Sequence, residues 1–154
     1  MRIDKKIYVM EARAICRAGG GDVGSWSPES AVWFVGSRLP EEIRQLFENH
    51  IPKQELWAGA GALFDEGKIV KWNSDFPAGL RSNLLIVGTA ANGDHIAIDL
   101  KNGSTGYISH EQDWCVHPRA FFVPVSPSIG CYLRDINRET SIVPGDYWEA
   151  IRGK

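Results

Sequence analysis

The chain has 154 residues, a formal net charge of −2, 44% apolar residues and 23% charged residues. These values describe a globular chain able to bury a core, and the lack of a long basic run speaks against nucleic acid, because phosphate binding wants a cationic patch. Cys16, Cys115 and Cys131 form no paired motif, so a disulfide framework is not expected and a reducing cytosol is the natural home. Neither a signal peptide nor a membrane span is expected.

In chain order, Asp4 to Ala18 reads as a helix capped by Asp4, with Ile7, Met10 and Ala14 on one face and Gly19 after its end. Ile7-Tyr8-Val9 pulls the same stretch toward strand. Gly19-Gly20-Gly21-Asp22 is a joint, extended by Gly24 and Ser25. Ser27-Pro28-Glu29 starts a second helix, since proline is pre-shaped for the first helical position. Ala31 to Val35 continues it as helix or as strand. Leu39-Pro40-Glu41-Glu42-Ile43 opens the clearest helix. Its first-turn acids favour the helix dipole, and Ile43, Leu46 and Phe47 share one face. Ile51 and Pro52 end it. Ala62-Leu63-Phe64, Asp65-Glu66-Gly67 and Lys68 to Trp72 read as a hairpin.

Asn83 to His110 then reads as three strands joined at Asn92-Gly93 and Asn102-Gly103, dipeptides that tolerate the positive φ of a tight hairpin turn. Leu84 to Val87 is apolar at successive positions, as in a strand covered on both faces. Ile96, Ile98 and Leu100 alternate with His95, Ala97 and Asp99, the period of a strand. Phe121-Phe122-Val123 is a last short strand. Ser126-Pro127-Ser128 caps a helix to about Arg138, with Ile129, Leu133 and Ile136 at helical spacing and Tyr132 beside them. Pro144-Gly145-Asp146 breaks the chain, and Tyr147 to Ile151 is a terminal helix. The expected class is α+β: a central antiparallel meander with helices packed on one face, in a single domain spanning 1–154.

This order of motifs resembles the SUKH superfamily, known for cell-wall regulators in yeasts and for bacterial immunity proteins. Leu39-Pro40-Glu41-Glu42-Ile43 is similar to the family's early helix, which often opens Leu-Pro. Leu85-Ile86-Val87-Gly88-Thr89, Asn92 to Leu100 and Gly106-Tyr107-Ile108 look like its central meander. Phe122 to Ile129, continuing to Tyr132-Leu133, looks like its closing strand and helix. The resemblance covers about Leu39 to Ile136. It implies an α+β fold with no shared catalytic centre, and, in bacteria, direct binding of a polymorphic toxin, often a nuclease.

The residues that invite a chemical reading each have a plainer one. His110, Cys115 and His117 lack the further ligand arm that zinc requires, and a free cysteine is usually a small buried hydrophobe. Cys115 with His117 has no orienting third group and no oxyanion hole, and a Gly-x-Ser-x-Gly elbow is absent. Gly19-Gly20-Gly21 and Gly59-Ala60-Gly61 lack the Gly-Lys-Ser/Thr of a phosphate loop. Asp94 and Asp99 are five apart in one expected strand, so they point to opposite faces and read as solvated. Trp33, Trp57 and Trp72 read as core, and Trp114 is the best candidate for an exposed anchor, with a buried rim position as its plainer reading.

The expected function is therefore non-enzymatic protein binding in the cytosol without a cofactor. An immunity protein that occludes a toxin comes first; the alternative is a regulatory or scaffold module. The expected contact surface lies beside the meander at His95, Asp99, Tyr107, Glu111, Asp113 and Trp114. Its acids would suit the basic cleft of a nuclease.

Overall fold

The computed structural model describes residues 1–59, 61–110 and 115–138. Its elements are α1 (Lys5–Arg17), β1 (Asp22–Gly24), α2 (Pro28–Gly36), α3 (Glu41–His50), β2 (Ile51–Gln54), β3 (Leu56–Ala58), β4 (Gly61–Leu63), α4 (Glu66–Asp75), α5 (Ala78–Arg81), β5 (Leu84–Ala90), β6 (His95–Asp99), β7 (Thr105–Ile108), a 3₁₀ turn (Pro118–Phe121), β8 (Phe122–Ser126) and α6 (Ile129–Asn137). The class is α+β. A six-stranded antiparallel sheet runs in the order β3-β4-β5-β6-β7-β8, and β1 pairs with β2 in a separate ribbon. No helix among the described residues is long and apolar enough to cross a membrane.

The expected meander is present as β5, β6 and β7. Gly93 and Gly103 sit in its turns at φ 92° and 93°, the conformation that glycine reaches without strain. Leu84 to Val87 is buried throughout, as befits a strand with neighbours on both sides. Register sends alternate side chains to opposite faces. Ile96 lies opposite Tyr107 on one face, and His95 lies opposite Ile108 on the other.

Helices pack around the sheet. α6 meets the Tyr107 face, where the Tyr132 hydroxyl donates to the Tyr107 hydroxyl at 2.9 Å. α4 meets the His95 face, where the Trp72 ring lies 4.7 Å from the His95 ring, centroid to centroid. The expectation of helices on one face is thus widened to both, because the sheet's two faces are apolar at most positions and each needs cover.

α4 corrects the expected second half of a hairpin. Ile69, Val70 and Trp72 suit a strand, but the Asp65 side chain accepts from the Lys68 backbone N–H, an N-cap, and Glu66 follows in the first turn. The helix then places Asn73 against β5 where β4 has ended. Its carboxamide donates to the Ile86 carbonyl at 2.8 Å and accepts from the Ile86 N–H at 3.0 Å. One side chain thereby satisfies both backbone groups that a strand would have paired.

α2 and α3 form as expected. Ser27 accepts from the Ser30 N–H to cap α2, and Ala31 to Val35 is helical. In α3, Ile43, Leu46 and Phe47 are buried, each worth on the order of 2 kcal/mol of apolar transfer. The closing strand and helix also form as expected, with Ser128 capping α6 and Ile129, Tyr132, Leu133 and Ile136 buried. The breaks and helix expected over 144–151 lie outside the described residues.

Trp57 departs from its expected core position. β3 buries Leu56 and Ala58, so strand alternation turns Trp57 outward, 57% exposed.

Candidate functional site

Three of the residues expected at a contact surface are internal. Tyr107 is fully buried. Asp99 is buried and accepts from both Arg119 Nη1 and Nη2 at 3.0 Å, while Arg119 Nε donates to the Ser82 carbonyl. Burial would raise the Asp99 carboxyl, but the Arg119 guanidinium and the Lys101 N–H outweigh it and hold it below the usual carboxylate range. His95 is buried, and desolvation pushes its imidazole down to about 4, with Asp94 opposing and His110 adding to the shift. Glu111, Asp113 and Trp114 lie outside the described residues.

Asp94 and Asp99 are likewise not solvated; both are buried. Asp94 organises the β5–β6 turn. It accepts from Asn92 Nδ2 at 3.0 Å and from the His110 N–H at 3.1 Å, and His110 Nδ1 stands 2.8 Å from the same carboxylate. Partners sixteen and twenty residues downstream thus explain both acids.

The cysteines are unbridged: Cys16 is half-buried, Cys115 exposed and Cys131 buried. Among the described residues no group of three or more His, Cys, Asp or Glu could hold a metal ion.

The prominent exposed feature lies elsewhere, on α1. This helix runs beside α6 in the same direction and is tied to it at its start and at its middle. Asp4 accepts from Ser128 Oγ at 2.6 Å and lies 3.3 Å from Cys131 Sγ, and the Gly130 N–H donates to the Ile3 carbonyl. The Ser128 bond, joined by Cys131 and Arg2 and opposed by burial, lowers the Asp4 carboxyl. Asp4 occupies the N-cap position as expected. Its side chain, however, faces α6 and makes no cap bond. Farther along, Glu11 accepts from Asn137 Nδ2 at 2.7 Å and from Arg138 Nη2 at 2.9 Å.

The buried face of α1 is therefore Tyr8, Glu11, Ala12 and Ile15, which corrects the expected face of Ile7, Met10 and Ala14. Met10 is 52% exposed. Because both acids of this segment are turned to α6, the outward face keeps only cations. Lys6, Met10, Arg13 and Arg17 follow one another at helical spacing, with Lys5 and Val9 alongside. The signal was in the sequence as a stripe without acids, hidden by a balanced total charge.

This face borders a groove of 630 Å³ lined by Lys5, Lys6, Val9, Met10, Arg13, Arg17 and His50. A second depression of 490 Å³ continues it past Arg13, Arg17 and His50 to Cys16, Asp22 and Asn49. The far wall is the C-terminal end of α3, fixed by the Tyr8 hydroxyl donating to the His50 carbonyl at 2.9 Å. Burial, then Lys5 and Arg13, lower the His50 imidazole. Lys5 and Lys6 stand in the first turn of α1, where no acid offsets them and the helix dipole disfavours cations. No protein-family model matches the chain, and no curated protein matches it.

Proposed function

We propose that this chain is a non-enzymatic protein-binding domain, and that its most specific role is that of a SUKH-like immunity protein binding and occluding a toxin. The resemblance over Leu39 to Ile136 supports the specific role. The observation that carries the binding reading is the groove on α1, open to solvent and lined by the apolar Val9 and Met10 together with four cations of the same helix. The polar groups of the meander, by contrast, have structural work: Asp94 holds a turn and Asp99 holds Arg119.

The test is co-expression with the product of the neighbouring gene, read by growth and by gel filtration. Relief of toxicity together with a stable complex supports the immunity role. A complex with a non-toxic neighbour moves the regulatory or scaffold module ahead. Chemical alteration of the neighbour by catalytic amounts of this protein would contradict a non-enzymatic role.

A further inference from the structure

We infer that the α1 groove receives an acidic amphipathic segment of a partner protein, its carboxylates against Lys5, Lys6, Arg13 and Arg17 and its apolar side chains on Val9 and Met10. This names the partner chemistry of the binding reading above and rests on it.

Charge is the first ground. None of these four cations makes an ion pair among the described residues: Asp4 and Glu11 are turned to α6, and Asp22, which lines the adjoining depression with Arg13 and Arg17, is bridged to neither. An arriving carboxylate therefore displaces no existing partner. It also relieves the repulsion among the lysines and arginines along one helix face, and that between the first-turn lysines and the dipole.

The apolar lining is the second ground. A phosphate backbone asks for cations spaced along a polar track. Here the groove lining includes a valine and a half-exposed methionine, a flexible apolar side chain suited to repacking against another apolar group. Cations beside apolar side chains match an acidic helix that presents an apolar stripe of its own. The whole chain carries a net charge of −2, so the attraction is local and short in range at physiological salt.

The probe is a fluorescein-labelled synthetic peptide of about sixteen residues, long enough for four helical turns, with Leu at i, i+3, i+4 and i+7 and Glu between. Fluorescence anisotropy with the full chain should give saturable binding that weakens about tenfold or more between low and high salt. Arg13→Glu with Arg17→Glu should abolish it at accessible concentrations, and Met10→Ala should weaken it roughly fivefold. Circular dichroism of each variant checks that the fold is kept, and Lys71→Glu, an exposed position on α4 outside the groove lining, should bind as wild type.

Equal binding of the same peptide with Lys in place of Glu would overturn the inference. So would tighter binding of an oligonucleotide or of phosphatidylserine vesicles than of the acidic peptide. If the neighbouring gene's product binds wild type and the Arg13→Glu/Arg17→Glu variant alike, this surface is wrong while the binding reading stands. If that product does not bind but the acidic peptide does, the immunity role falls and the groove remains.

Discussion

Arg119 closes on Asp99 through two parallel bonds of 3.0 Å, Nη1 to Oδ2 and Nη2 to Oδ1. With Nε on the Ser82 carbonyl at 3.0 Å, one guanidinium joins the 3₁₀ turn, the end of β6 and the residues before β5. Arg119→Met would leave a buried carboxylate facing a methyl group. Because Arg119 is partly exposed, water offsets some of the loss, and a cost of about 2 kcal/mol is expected in urea unfolding at pH 7. The folded Asp99 carboxyl lies below its ordinary value of 3.8, so its contribution is present above that value and is lost as pH falls through the folded value. The difference between wild type and Arg119→Met should therefore narrow in strong acid.

His95 sets a second pH dependence. Its ordinary value is 6.5, and burial against Trp72 brings it to about 4. Between these values the unfolded chain binds a proton that the native chain excludes, so stability falls as pH falls through this window, by on the order of 3 kcal/mol. His95→Gln should flatten the slope of unfolding free energy between pH 6.5 and 4. An unchanged slope would assign the acid sensitivity to other groups.

Gly103 and Gly93 occupy equivalent turns with unequal surroundings. A Cβ on Gly103 would lie 1.9 Å from the Arg2 carbonyl oxygen, whereas one on Gly93 would meet the His110 ring at 3.5 Å. Gly103→Ala combines a backbone clash with a positive φ and should cost at least about 3 kcal/mol; Gly93→Ala carries the φ strain alone, about 1 kcal/mol. Thermal melts of the two variants compare them directly.

The Tyr132 and Tyr107 hydroxyls are bonded to each other in the core at 2.9 Å. Tyr132→Phe should cost about 1–2 kcal/mol by leaving the Tyr107 hydroxyl buried without that partner, and the double Phe variant should be less than additive. A double-mutant cycle in urea gives the coupling.

The meander was legible because its signals are local: an Asn-Gly at each turn and a period of two between them. α4 was not, because Ile69, Val70 and Trp72 suit a strand, while its N-cap, Asp65, sits in a run that also spells a turn. The inward face of α1 was hidden for a different reason. Glu11 is a charged residue made tolerable in the core by Asn137 and Arg138, and no local pattern announces partners more than a hundred residues away. The same pairing produced the groove, since an acid drawn inward leaves its helix cationic outside. Asp94 and Asp99 read as solvated from the sequence because their partners, His110 and Arg119, lie sixteen and twenty residues downstream.

Hydrogen exchange, with and without the protein that the neighbouring gene encodes, tests the binding account most directly. Protection confined to α1 and the end of α3, with slowed exchange at amides of Lys6 to Arg17 and Asn49 to His50, is the expected result. Protection gathered instead at the β8 edge or at the β5–β6 turn, with α1 unchanged, would contradict it.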